Sequence, residues 1–120
     1  MKTSELTGAA LDWAVAKCEP DDTVRIYFDE DTGEKLCHDD WDVPEFSPST
    51  DWSQGGPIIE RERIEVRYRV GVNMTATIDG KSEQTAGYRE SHKPMLLAAM
   101  RCYVASKLGD EVELPKEITE

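Results

Sequence analysis

The stretch IEVRYRVGVNMTATI, residues 64–78, decides the fold because its apolar residues occupy every second position. These alternating positions hold Ile64, Val66, Tyr68, Val70, Val72, Met74, Ala76 and Ile78. A period of two predicts β-structure with one buried face. The stretch is longer than an ordinary strand, so we expect a break near residues 71–73. Asp79-Gly80 then predicts a tight turn, and residues 81–88 (KSEQTAGY) predict the next antiparallel strand.

The N-terminal residues predict an amphipathic helix. Thr3 or Ser4 is the expected N-terminal cap, and residues 18–23 (CEPDDT) contain the proline and turn formers that end the helix. One face combines Leu6, Ala10, Trp13 and Lys17, and it is widened by Leu11, Val15 and Cys18.

A second helix is predicted near the C-terminus. Pro94 lies in its first turn after Ser91 or His92, and Gly109 fits the C-terminal cap. Its apolar stripe consists of Leu97, Met100, Val104 and Leu108.

The order of these patterns predicts an α+β fold. Residues 24–28 (VRIYF) alternate like a strand, and residues 34–37 are the expected second arm of a hairpin. We therefore expect an antiparallel sheet covered by helices, with an α-β-α sandwich-like arrangement. No repeat or long linker divides the chain, so residues 1–120 are predicted to form one domain, with 110–120 as a partly mobile acidic tail.

The chain is strongly acidic, with 25 Asp and Glu against 14 Lys and Arg and a formal charge of −11. An acidic surface repels phosphate backbones, so we expect no direct binding of nucleic acid. No apolar run has membrane-spanning length and the N-terminus lacks a signal-peptide pattern, so we expect a cytoplasmic protein without membrane association. Solubility and imitation of nucleic-acid charge both account for the acidity.

The sequence offers no pattern for catalysis, and we expect neither a cofactor nor a metal. Cys18, Cys37 and Cys102 lack Cys-x-x-Cys spacing. Residues 37–40 (CHDD) are adjacent, and neighbours on an extended segment point to opposite faces instead of converging on one ion. The chain also lacks a phosphate-binding P-loop and a Gly-x-Ser-x-Gly elbow, so we expect a non-enzymatic protein.

Residues 46–62 (FSPSTDWSQGGPIIERE) hold the candidate binding site. A Ser-Thr-Asp start predicts a short helix whose free amides suit an anion. Gly55-Gly56 is expected to end this helix and leave the backbone open to a planar, phosphate-bearing small molecule beside Trp52. The predicted ligand-binding residues are Ser49, Thr50, Asp51, Trp52, Gln54, Gly55 and Gly56. A purely structural link, in which the polar residues only cap a helix, explains the serines and the aspartate but not both glycines.

Two arginines extend this hypothesis. Arg61 and Arg63 could offer guanidinium groups to a phosphate near the loop. The alternative is that they pair with Glu60, Glu62 and Glu65 on a solvated strand face.

Three blocks of the sequence resemble a known family. They are residues 1–19 (MKTSELTGAALDWAVAKCE), 47–62 (SPSTDWSQGGPIIERE) and 98–115 (AAMRCYVASKLGDEVELP), and they resemble the NinX-like family of phage and prophage proteins. The family carries a domain of unknown function, so the resemblance implies a phage origin and an α+β fold of the phage α-β-α sandwich type. This chain departs from the family pattern at residues 89–100 (RESHKPMLLAAM), where members usually have a Gly-Pro-Thr-Pro-like approach to the last helix, and around residues 70–88.

The resemblance leads to two hypotheses, since small phage accessory proteins commonly bind a component of the host. In the first, the protein binds a host-derived, nucleotide-like ligand in the loop pocket and counters host defence without turnover. In the second, it is an acidic inhibitor of a host DNA-binding protein or nuclease through charge mimicry. A homodimer is a further expectation, because sheet edges and a broad apolar helix face invite self-association.

Overall fold

The computed structural model describes residues 2–18, 25–28, 35–38, 47–68, 73–78, 82–87 and 93–114. In chain order its elements are a 3₁₀ helix (Thr3–Glu5), α1 (Gly8–Cys18), β1 (Arg25–Phe28), β2 (Lys35–His38), α2 (Trp52–Glu62), β3 (Ile64–Tyr68), β4 (Asn73–Ile78), β5 (Ser82–Gly87) and α3 (Pro94–Leu108). This inventory confirms the predicted α+β class with an antiparallel sheet covered by helices.

The alternating stretch forms two strands of a three-stranded antiparallel sheet in the order β3-β4-β5. Val66 pairs with Ala76 and Ala76 with Gln84, which places alternate residues of three strands on one face. The predicted break is confirmed because β3 ends at Tyr68 and β4 begins at Asn73. The predicted turn at Asp79-Gly80 lies outside the described residues, although Ile78 and Ser82 on either side of it are paired.

α3 is the central element of the fold. It contacts all three strands of the sheet and also α1 and α2, so it lies between the sheet and the other helices. Burial therefore extends around most of the helix and includes Arg101 as well as Leu97, Met100 and Val104. Leu108, the predicted end of the stripe, is exposed because it lies in the last turn. Lys93 takes the N-cap position, and Ser91 and His92 lie outside the described residues.

The first helix begins later than predicted. Thr3 does not cap it, because the Thr3 hydroxyl donates to Gly109 O (2.7 Å) and the Thr3 amide donates to Asp110 O (2.8 Å). The chain forms a 3₁₀ turn there and enters α1 at Gly8, whose φ of +56° suits glycine. α1 then buries Leu11 and Val15 against α3, as its pattern predicts.

Residues 109–114 close the structure against its N-terminal segment. Lys2 and Glu111 form an antiparallel β-bridge, and Val112 joins the hydrophobic core with Leu114 packed against it. The first part of the predicted acidic tail is therefore fixed to the body, and residues 115–120 lie outside the described residues.

The second helix contradicts one prediction directly. Gly55-Gly56 does not end a short helix, because α2 continues through both glycines and Pro57 to Glu62. It ends at Arg63, whose left-handed backbone (φ 55°) turns the chain into β3. The sequence reads as a break because glycine and proline weaken isolated helices, and packing against α3 overrides that preference.

The predicted hairpin is confirmed as the antiparallel pair β1–β2, with Arg25 opposite His38 and Phe28 opposite Lys35. This pair forms a two-stranded sheet of its own, and β2 contacts α1.

Candidate functional site at the start of the second helix

The start of α2 is organised around Asp51, its N-cap residue. One carboxylate oxygen accepts from the Ser53 amide (2.9 Å) and the Ser53 hydroxyl (2.7 Å). The other accepts from Gln54 Nε2 at 3.2 Å. The Ser53 hydroxyl, the Ser53 amide, Gln54 and the charge of Lys93 hold the pKa of the Asp51 carboxyl below its usual value of 3.8. Asp51 is therefore an ionised cap whose acceptors are directed at its own helix.

The amides expected to receive an anion are engaged within the protein. The amides of Thr50 and Asp51 both donate to Ser47 O, at 3.1 and 2.9 Å. Those of Gln54 and Gly55 donate to Asp51 O at 3.0 and 2.8 Å. A ligand at this helix start would have to compete with these bonds, so the geometry is that of a satisfied cap.

The turn before α2 is fastened from three directions. The Ser47 amide donates to Gln54 Oε1 at 2.8 Å, and the Lys93 ammonium donates to Thr50 O. The Ser49 amide donates to Asp12 Oδ1 at 2.9 Å. The predicted site residues Ser49, Thr50 and Gln54 are thus brought together, and each takes part in holding the turn against a neighbouring element.

Asp12 is a residue of this region that sequence reasoning missed. Its side chain lies in α1 and is only 4% exposed, and Ser49 is 2% exposed. An acid among the buried residues of α1 is the signal that could have marked it, since buried carboxylates need partners. The Ser49 hydroxyl itself is buried without a hydrogen-bond partner in the described part of the chain.

The two glycines have different surroundings. A Cβ on Gly55 would lie 2.5 Å from Leu96 Cδ2 and even closer to Pro48 O, so Gly55 allows α2 to approach α3 and the preceding turn. A Cβ on Gly56 would meet only Trp52 Cε3, at 3.9 Å. The space expected for a guest at Gly55 is therefore filled by the protein's own atoms, whereas Gly56 faces an open surface.

Trp52 lies in the first turn of α2 and is 44% exposed. Its ring borders Gly56. The exposed indole and the bare Gly56 backbone therefore lie beside each other on the protein surface.

Arg61 and Arg63 lie at the opposite end of α2. Arg61 lies nine positions after Trp52, a rise of roughly 14 Å along a helix, so it is far from the predicted loop residues. Arg61 bonds Glu62 (2.8 Å) and Tyr103 Oη (3.1 Å), and its guanidinium lies 5.8 Å from the Tyr103 ring centroid. Arg63 forms the left-handed C-cap. The structure therefore separates the two predicted anion contacts from the other site residues.

Charge is distributed unevenly along the chain. Residues 19–46 contain 11 of the 25 acidic residues, and their only Lys and Arg residues are Lys35 and Arg25. This region thus carries a formal charge of −9, and the other 92 residues together carry −2. The paired strands β1 and β2 lie within the acidic region, so part of its backbone is held in a fixed hairpin.

Among the residues that the structure describes, no group of three or more His, Cys, Asp or Glu could hold a metal ion. The helices found there are too short or too polar to cross a bilayer.

No curated protein matches this chain. A family described as "Bacteriophage P22, NinX" matches residues 2–107. That span begins at the bridge residue Lys2, includes the fastened turn and the whole of α2, and ends one residue before the end of α3. The chain therefore belongs to the phage P22 NinX family.

Proposed function

We propose that this phage protein is a non-enzymatic accessory protein that binds a basic protein of the bacterial host, in the cytoplasm of the infected or lysogenic cell. A host DNA-binding protein or nuclease fits this description, because its nucleic-acid groove is basic. Occupation of that groove would counter a host defence that depends on it.

The observation that supports this proposal is the segregation of charge into residues 19–46. Charges of both signs spread over a surface are enough to keep a protein soluble. The other 92 residues have nearly balanced charges, with a formal charge of −2. A region with 11 acids and two bases instead produces a field of one sign, which accelerates encounter with a basic surface and repels nucleic acid.

The test compares two variants with the same net charge. One replaces Asp39, Asp40, Asp42 and Glu45 by amides; the matched control replaces the exposed Glu5, Glu60, Glu65 and Glu113 by glutamine. Each immobilised protein is exposed to the heparin-binding fraction of a host lysate, and retained proteins are identified by mass spectrometry at 50 and 500 mM salt.

We expect the wild type and the control to retain the same basic protein at low salt and to release it at high salt, because screening shortens the reach of surface charge. The acidic-region variant should retain at least about tenfold less. If both variants lost the same amount of bound protein, retention would depend only on net charge, and the proposal would be contradicted.

A second candidate function rests on Trp52. Its exposed indole beside Gly56 offers a stacking surface for a planar, nucleotide-like ligand from the host. Titration of tryptophan fluorescence with a nucleotide panel tests this idea, with Trp52→Ala as the variant and Trp13→Phe as the control on α1. A response that survives Trp52→Ala would exclude the site.

A further inference from the structure

A solvent-open hollow of about 160 Å³ lies where the N-terminal and C-terminal segments meet, away from the start of α2. Its lining residues are Lys2, Ser4, Gln84, Asp110 and Glu111. They come from three parts of the chain: the N-terminal segment, β5, and the segment after α3. The hollow is therefore a product of the tertiary fold, and no local motif marks it.

The backbone around the hollow is fixed. Thr3, fully buried, binds both Gly109 O and Asp110 O, and Lys2 pairs with Glu111 in a β-bridge. The inward position of Thr3 leaves its neighbours Lys2 and Ser4 exposed. Gln84, the lining residue from the sheet, is held by the pairing of β5 with β4. Because the backbone is already ordered, ligand binding to these side chains costs little backbone conformational entropy.

The lining carries charges of both signs that do not neutralise each other by contact. Over the described part of the chain, no hydrogen bond or ion pair involves the side chains of Lys2, Ser4, Gln84, Asp110 or Glu111. The lining residues thus include one lysine and two acids, with a net formal charge of −1. A small molecule with both an ammonium and a carboxylate group could pair with all three.

We propose that this hollow binds a free α-amino acid, with preference for one that has a cationic side chain. The ligand's ammonium groups pair with Asp110 and Glu111, and its carboxylate pairs with Lys2 and accepts from the Ser4 hydroxyl. The amide of Gln84 can donate or accept beside them. The net charge of the lining favours lysine or arginine over alanine and excludes glutamate by repulsion.

Amide chemical-shift titration of the tag-free protein tests the proposal with L-lysine, L-glutamate, acetate and 1,5-diaminopentane, which is lysine without its carboxylate. L-lysine is expected to give saturable shifts confined to residues 2–4, 84 and 110–111. Because binding requires both charges of the ligand, acetate and 1,5-diaminopentane should bind at least about tenfold more weakly.

Matched variants distinguish binding in the hollow from a general effect of surface charge. Asp110→Asn, Glu111→Gln and Lys2→Gln are each expected to weaken L-lysine binding about tenfold or more. Glu113→Gln and Lys107→Gln remove similar exposed charges outside the lining and should leave the affinity unchanged. All five positions are exposed, so folding is preserved and is checked by thermal unfolding.

Three results would overturn the inference. They are the absence of saturable shifts with L-lysine, equal affinity for L-lysine and 1,5-diaminopentane, and an equal loss of affinity in Glu113→Gln and Glu111→Gln. The first result would mean that the hollow does not bind L-lysine, and the second that the ligand's carboxylate is not recognised. The third would mean that binding depends on long-range charge and not on contacts in the hollow.

Discussion

Gly55 and Gly56 are identical neighbours in α2 whose environments differ sharply. The first is enclosed by the turn before the helix and by α3, and the second faces the exposed Trp52 ring. A pair of glycines in a sequence therefore does not identify a binding site, because the role of each glycine depends on the atoms that surround it.

Alanine substitutions measure this difference. Gly55→Ala is expected to destabilise the protein by about 1–3 kcal/mol, because the new methyl group would overlap Leu96 and the Pro48 carbonyl. Gly56→Ala should stabilise it by about 0.5–1 kcal/mol, since alanine is the better helix former and has room. Urea unfolding of the two variants gives both values, and effects of the same sign would contradict the assignment.

Arg63 is strained by its backbone position. Its φ of 55° lies in the left-handed region, where an L-residue with a side chain is disfavoured by about 1–2 kcal/mol. Arg63→Gly removes that strain but adds freedom to the unfolded chain, so we expect a net gain of about 0.5–1 kcal/mol in the free energy of unfolding. Arg67→Gly, in the regular strand β3, is the control and should lower stability.

Asp51 makes the start of α2 sensitive to acid. Because its pKa in the folded protein lies below 3.8, the capping contribution is complete above pH 3.8 and is lost as pH falls through the lower folded value. Asp51→Asn keeps a capping side chain but cannot titrate. The stability advantage of the wild type over this variant should therefore shrink below pH 3.8, as followed by thermal unfolding from pH 6 to pH 2. A constant difference over that range would show that the carboxylate charge does not matter.

Arg101 connects the segment before α1 and strand β5 to α3, the helix on which it lies. It is 2% exposed, and its guanidinium donates to Leu6 O (2.9 Å) and Thr85 O (2.8 Å). These bonds tie the segment before α1 and strand β5 to the central helix. From sequence alone, an arginine in a helix is expected to face solvent. Arg101 is buried because α3 lies between the sheet and the other helices.

Replacement of Arg101 tests this connection. Arg101→Met fills similar space but leaves both carbonyl groups without their donor, so we expect a loss of about 2–4 kcal/mol. Arg101→Lys keeps the charge but lacks the planar fork and should lose less. Chemical denaturation followed by circular dichroism measures both variants, and an unchanged midpoint for Arg101→Met would refute this role.

The elements differ in how well sequence predicts them. β3, β4 and α3 were predictable because alternation and helical period are local properties, and β5 was predictable from the Asp79-Gly80 turn signal before it. α2 was cut short in prediction because Gly55, Gly56 and Pro57 disfavour a helix locally, and the compensating contacts come from Pro48 and Leu96. The contact of Ser49 with Asp12 joins residues 37 positions apart, which no local pattern encodes.

The hydrophobic core is completed by the segment after α3. Val112 is 5% exposed and belongs to the same hydrophobic cluster as Leu6 and Leu11. The sequence predicts an acidic tail here because Asp110, Glu111 and Glu113 dominate the composition of this segment. The single buried valine among them was too weak a signal.

Truncation of the Val112 side chain measures how much this segment contributes to the stability of the core. Val112→Ala removes two buried methyl groups and should lower the free energy of unfolding by about 1.5–2.5 kcal/mol. Glu113→Ala, its exposed neighbour, should change it by less than about 0.5 kcal/mol. Urea unfolding compares the two variants, and equal small effects would mean that the segment is not part of the core.

The β-bridge between Lys2 and Glu111 has a topological consequence. Since these two backbones are already side by side, a short glycine-serine linker from residue 114 to residue 2 would cost little closure entropy. A circular permutant opened between β3 and β4 should therefore fold to the same sheet and helices. Its new termini would lie between β3 and β4. Residues 110–114, the linker and residues 2–4 would then form one continuous part of the hollow's lining, and Gln84 of β5 would form the other.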